Sequence, residues 1–260
     1  MIMSTGYSEH TQSHDSRIFV ARDPRFLILA FCLIVIFTFI IPDVMGLVMT
    51  LLYVVVLHRA VGLSLGTLAK NAKNISGFVL LIIVVNAALV RGEPLTSLVP
   101  FLSKEGVYGG VFYSIRLLVL YFAVTVFLAT TSPEGIASGL AALIRPFSAR
   151  LAHRAAFFGF LSIGYLPLFA GEISRIQTAQ RFRGGGLDGG PIRKLNGARL
   201  LLVPLFLSAI HRSAQLAMVV ELRKIKSTII PLLRLERASR NDYGFVLLTL
   251  VVLIIAWKIT

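Results

Sequence analysis

The chain has 260 residues, 56% of them hydrophobic and 15% charged, with a formal net charge of +14 and a mean hydropathy of +0.82. A water-soluble domain of this size lacks the polar surface to cover so much apolar area, which excludes an ordinary soluble protein and makes the lipid bilayer the expected solvent. High positive charge often marks nucleic-acid binding, but that reading does not go with this hydropathy, so no nucleic acid is expected. The single cysteine, Cys32, excludes an intrachain disulfide and thiolate metal sites.

In chain order, residues 1–20 read as a disordered polar tail without the cleavage site of a signal peptide. From Phe26 to Leu57 the only charge is Asp43. One helix of that length would measure about 48 Å, too long for a hydrocarbon core of about 30 Å. Ile41-Pro42-Asp43 therefore predicts a hairpin turn, with the second arm running on through Leu65. Ile75–Val90 is a third span, and Asn86 within it is expected to hydrogen-bond to another helix. A fourth span runs from about Val107 to Thr130 and carries Arg116, either a functional intramembrane cation or a side chain reaching the outer interface. The last is Gly244–Trp257, flanked by Tyr243 and Trp257 as interfacial aromatics. Lys and Arg gather before the first helix and after the second, which puts the N-terminus in the cytoplasm.

Residues 145–240 hold sixteen Lys/Arg against four Asp/Glu, most of the excess charge. Ala155–Gly171 and Leu200–Ile210 are apolar runs inside this stretch, interrupted by Gly159, Gly164 and Pro167 and by Pro204. They read as amphipathic helices along the inner membrane face or packed against other helices, with two further crossings as the alternative. The expected fold is an all-α integral membrane protein with about five transmembrane helices plus cytoplasmic amphipathic helices. Its parts are 1–20 as tail, 21–133 as helices one to four, 134–240 as the cytoplasmic or interfacial region, and 241–260 as the last span.

Two segments of the basic region carry a pattern. In the first, Glu172 and Arg183 are eleven residues apart, three turns, on one face. Gly184, Gly185 and Gly186 end that helix and leave Arg181 and Arg183 in its last turn. In the second, Arg212 and Arg223 repeat the eleven-residue spacing, and Ala209, Ser213 and Ala217 form a small-residue seam where another helix can approach. Each helix thus ends in an arginine suited to fork onto a carboxylate of a soluble partner. The glycine-rich stretch 183–190 lacks the Gly-Lys-Ser/Thr ending of a phosphate loop, and the five histidines are scattered without metal-ligand spacing.

From about Ala21 onward the chain resembles the transmembrane T component of energy-coupling factor (ECF) transporters, the bacterial vitamin and metal importers. The resemblance is carried by Asp23-Pro24-Arg25, Arg116, Thr130-Thr131-Ser132-Pro133-Glu134, Pro167, Glu172, Ala179-Gln180 and Phe182-Arg183-Gly184, with Glu221-Leu222-Arg223-Lys224 at the second motif. The family's motif is Ala-Arg-Gly. Here the alanine is replaced at both places, and Lys224 stands for the second glycine.

The resemblance implies a scaffold of the bacterial inner membrane with no catalysis and no cofactor of its own. Two ABC-type ATPase subunits would take the helix tips, Arg181, Arg183, Gly184, Glu221 and Arg223. Pro167, Glu172, Gln180 and Arg212 would support the coupling helices, and Ala209, Ser213 and Ala217 would pack against a membrane-embedded substrate-binding S component. The rivals are a membrane enzyme acting on lipid-linked phosphates, which wants acidic or histidine side chains at one depth, and a secondary transporter, which wants midplane polar residues in several helices. Only Asn86 and Arg116 qualify as intramembrane polar residues.

Overall fold

The computed structural model describes residues 23–90, 92, 94–96, 99–182, 191–222 and 239–259. Among the described residues, eight helices run in the order α1 (Pro24–Ile40), α2 (Val44–Ala60), α3 (Leu65–Leu89), α4 (Lys104–Thr130), α5 (Pro133–Ile144), α6 (Ala149–Phe182), α7 (Pro191–Leu222) and α8 (Arg240–Lys258). The all-α membrane fold expected from hydropathy is the observed one. Among the described residues, five helices are long and apolar enough to cross a bilayer: α3 over 66–89, α4, α6, α7 over 201–222, and α8. The arms α1 and α2 have 17 residues each. The described residues form two compact units, one made of those up to Ser132 together with α8, the other of α5, α6 and α7.

The first unit begins at Asp23, whose carboxylate accepts from the Arg25 backbone N–H (3.2 Å) and from Arg25 Nε (2.5 Å), with Pro24 at the first helical position. The predicted hairpin is present. Helix α1 stops at Ile41, and Asp43 opens α2 by accepting from the Val44 N–H at 2.8 Å. The second arm ends sooner than expected. Gly62 adopts a φ of 84°, a left-handed conformation that glycine tolerates and that ends a helix, so α2 does not reach Leu65. Ser64 then caps α3 through the Thr67 N–H, and Lys70 and Lys73, expected in a link, lie inside α3. Between α3 and α4 a short antiparallel hairpin pairs β1 (Pro94–Thr96) with β2 (Val99–Ser103).

Four helices share one core. Leu27, Ala30 and Ile34 of α1 pack with Tyr53, Val54 and Leu57 of α2, Val119, Phe122 and Ala123 of α4, and Phe245 and Leu253 of α8. The hydroxyls buried here are satisfied within their own helices: Thr38 donates to the Ile34 carbonyl, Thr50 to Gly46 and Thr249 to Phe245. Because Thr249 spends its proton there, Tyr53 donates to Thr249 Oγ1 across 2.7 Å and ties α2 to α8.

Helix α3 lies against α4 along a ladder of small residues. Ser103 Oγ caps α4 through the Gly106 N–H and donates to the Val90 carbonyl. Ser114, near mid-helix, donates to the Val79 carbonyl of α3 at 3.3 Å. Between them Gly106 and Gly110 permit backbone contact. A Cβ at Gly106 would stand 2.4 Å from the Asn86 carbonyl oxygen, and one at Gly110 would stand 2.8 Å from the Ile83 Cα. Such spacing by three and four is how membrane helices pack without a hydrophobic driving force.

In the second unit, Ala141 and Ala142 of α5 and Ala152 and Ala156 of α6 are buried, and Gly159 faces Ala137 so closely that a Cβ would be 3.0 Å from the alanine's. The sequence marks Gly159, Pro167 and Pro204 as interruptions, and none of them interrupts: α6 runs through Gly159 and Pro167, and α7 through Pro204. Gly159 serves close approach. A proline removes one backbone hydrogen bond, which a helix of more than 30 residues absorbs.

The contrast between Gly110 and its neighbour is a direct test. Gly110→Ala should lower the thermal midpoint of the purified protein in detergent, by the equivalent of about 1–3 kcal/mol of overpacking. Gly109, which has open space around its Cβ position, should accept alanine with a gain of about 0.5–1 kcal/mol.

Candidate functional site

Helices α6 and α7 carry the residues singled out by sequence. Glu172 lies in the second half of α6 and Arg212 in the second half of α7, and the structure brings them together: Glu172 Oε2 is 3.6 Å from Arg212 Nη2. Both side chains are about a quarter exposed, at 23% and 31%. Neither spacing nor composition links these two residues, which stand on separate helices forty positions apart. Arg212 Nε is buried without a hydrogen-bond partner. Among the described residues this ion pair is the polar link between α6 and α7.

Beside the pair runs a groove of about 340 Å³, lined on α6 by Leu161, Tyr165 and Phe169 and on α7 by Ala209, Ser213 and Leu216. Two members of the predicted seam, Ala209 and Ser213, therefore face α6 across this groove. Ala217 is exposed and does not line it. Ser213 donates its hydroxyl to the Ile210 carbonyl at 2.8 Å, so the groove wall presents little free polarity.

Toward the helix ends, Gln180 is half-buried, Arg181 occupies the last turn of α6, and Phe182 is 88% exposed. Glu221 is exposed in the last turn of α7, followed by Leu222 at 76% exposure. Pro167 is exposed on α6. Arg183, Gly184 and Arg223 lie outside the described residues, as does Lys224.

In the first unit Arg116 has a defined place. Its Nη2 donates to the Ile41 carbonyl at 3.0 Å, and its guanidinium stands 4.5 Å from the Phe112 ring centroid and 5.6 Å from that of Phe39. Two turns earlier on α4, Tyr108 donates to Asp43 Oδ1 at 3.2 Å. Both ends of the α1–α2 turn are thus held by α4, through contacts that pattern reading does not foresee because their partners are a backbone carbonyl and a capping carboxylate. Asn86 departs from expectation. Its side-chain amide donates to Ile82 of its own helix at 2.9 Å, because α4 approaches too closely there to leave room for an interhelical side-chain bond. Among the described residues no three His, Cys, Asp or Glu side chains come together.

A bundle of apolar helices with a unit of long, paired, arginine-bearing helices defines a multi-pass membrane protein. Residues 15–225 match the family described as CbiQ, cobalt transport protein. The chain is 30% identical over 206 residues to the energy-coupling factor transporter transmembrane protein EcfT of Heliobacterium modesticaldum, and 28% identical to that of Thermosediminibacter oceani, with 77% of each chain covered in both comparisons. To the Bacillus subtilis protein of the same name it is 27% identical, over 77% of this chain and 78% of the other. The chain belongs to the CbiQ family, as a transmembrane T component of the ECF transporters.

Arg116→Met should loosen the α1–α2 turn. The loss of a charged hydrogen bond to a buried carbonyl is expected to cost about 1.5–3 kcal/mol, read as a lower thermal midpoint in detergent.

Proposed function

We propose that this T component is a non-catalytic coupling subunit of the bacterial inner membrane, with its N-terminus in the cytoplasm. It passes ATP-driven motion from two ABC-type ATPase subunits to a membrane-embedded S component that binds a vitamin or a metal ion. The observation that carries this reading is the joint architecture of α6 and α7. Two long helices, described over 34 and 32 residues, are linked by one ion pair, and the next residue in the sequence after each is an arginine of the family motif.

The chemistry of the ends supports docking. Phe182 and Leu222 are large apolar side chains left in the open, which suits insertion into grooves of another protein. Arg181 and Arg183 follow the helix dipole and can fork onto carboxylates there. Glu221 opposes the dipole at the end of α7, a local cost that an interaction with a partner's cation would offset. Glycine, the residue type at 184, commonly follows the end of a helix. Glu172 and Arg212, with Pro167 and Gln180, support the two helices, and Ala209, Ser213 and Ala217 present the small side chains against which the S component packs. On this reading 134–240 is the coupling region, and 21–133 with 241–260 is the membrane bundle.

Co-expression of the tagged chain with its host's proteins, followed by purification in mild detergent, should bring down ABC-type ATPases. The double variant Arg183→Glu, Arg223→Glu should lose them while still reaching the membrane at wild-type level. Recovery of the wild-type chain with no ATPase would overturn the coupling role.

A further inference from the structure

The passage from α5 into α6 carries charge of one sign only. Between Glu134 and Glu172 the sequence holds no Asp or Glu, and its cations are Arg145, Arg150 and Arg154, all three exposed. None of their guanidinium groups has a hydrogen-bond or ion-pair partner among the described residues. His153 adds no free polarity, since its ring is turned back onto the Ala149 carbonyl. Large apolar side chains stand among the arginines. Phe147, in the turn between the helices, is 90% exposed, and Leu151 and Phe158 of α6 are exposed as well.

Helical spacing gathers these side chains together. Leu151, Arg154 and Phe158 follow one another at three and four residues and share a face of α6, with Arg150 at its edge. The other side of the same stretch is occupied: Ala152 and Ala156 are buried, and Gly159 faces Ala137 of α5. One face of α6 is thus used for packing, while the other mixes arginine with phenylalanine and leucine and contains no acid.

We propose that the α5–α6 turn and the first turns of α6 form a docking surface for anionic phospholipid. Phe147, Leu151 and Phe158 enter the acyl boundary, and Arg145, Arg150 and Arg154 bind headgroup phosphates. A lipid surface answers both halves of the pattern, being apolar below and negatively charged above, and arginine stems can lie along the apolar layer while their guanidinium groups reach the phosphates. An acidic protein surface would match the charge but leave the phenylalanines without an apolar layer. Only two residues separate α5 from α4, a helix long and apolar enough to cross a bilayer, so this part of the chain starts at a membrane interface. Arg150 stands about 48 Å along α6 from Phe182, which separates the lipid surface from the arginines offered to ATPases. The surface anchors the start of α6 equally well if that helix lies on the bilayer or crosses it.

The test uses the full chain in lipid nanodiscs, with Phe147→Trp as a fluorescent probe and Trp257→Phe removing the single native tryptophan. The discs mix phosphatidylglycerol with phosphatidylcholine, and the same fraction of lipid is brominated in its acyl chains, on one headgroup or on the other. Brominated phosphatidylglycerol should quench the probe more strongly, with a local enrichment of about fivefold, which one arginine near a charged surface supplies. The triple variant Arg145→Gln, Arg150→Gln, Arg154→Gln should abolish this bias. In the probe protein itself, salt at about 1 M should reduce the bias too, a result that does not depend on the triple variant folding.

No quenching by either lipid would overturn the proposal, because the ring would then lie away from the bilayer. Equal quenching by the two lipids would overturn it as well, as would a bias unchanged by the triple variant or by high salt. A probe left in water in the discs, and shielded only when ATPases co-purify, would assign the surface to a protein instead.

Discussion

The constraint on which the structure depends is that a polar group inside an apolar bundle must find its partner within protein. Nearly every feature of the first unit follows from it. Thr38, Thr50 and Thr249 return their hydroxyls to carbonyls one turn back, Asn86 does the same with its amide, and Ser103 and Ser114 reach carbonyls of α3 across the small-residue ladder. Where a helix must end, capping side chains take over: Asp23, Asp43 and Ser64 each satisfy a backbone donor that has no partner in its own helix. Water performs these tasks for soluble proteins. Here they fall to backbone carbonyls one turn back or on a neighbouring helix.

The second unit obeys a different balance. Its α5–α6 contact is built from alanines and one glycine, giving close approach with little buried area per residue, while Phe158, Leu166, Phe206 and Leu207 stand exposed. Long helices with so little internal packing derive their order from lipid or from other subunits.

Much of this was legible in the amino-acid sequence, for physical reasons. The hairpin at Ile41-Pro42-Asp43 followed from helix length against bilayer thickness, and the extents of α4 and α8 from runs of apolar residues. The end of α2 was not legible, because whether Gly62 takes a left-handed conformation depends on what surrounds it. Nor was the continuity of α6 and α7, since glycine and proline weaken a helix locally while its total length decides whether it breaks. At the candidate site the individual residues Glu172 and Arg212 stood out, but their pairing is a property of how two helices cross. The same holds for Arg116, whose carbonyl partner carries no signature in the sequence at all.

The hydrogen bond between Tyr53 and Thr249 joins residues 196 positions apart, and it bears on how the protein is made. Synthesis delivers α2 to the membrane long before α8 exists, so the bond between Tyr53 and Thr249 forms only once α8 has been made. Until then the core formed by α1, α2 and α4 lacks Phe245 and Leu253. The core of the bundle thus closes only when α8 joins it, and a chain that stops before residue 240 lacks Phe245, Thr249 and Leu253.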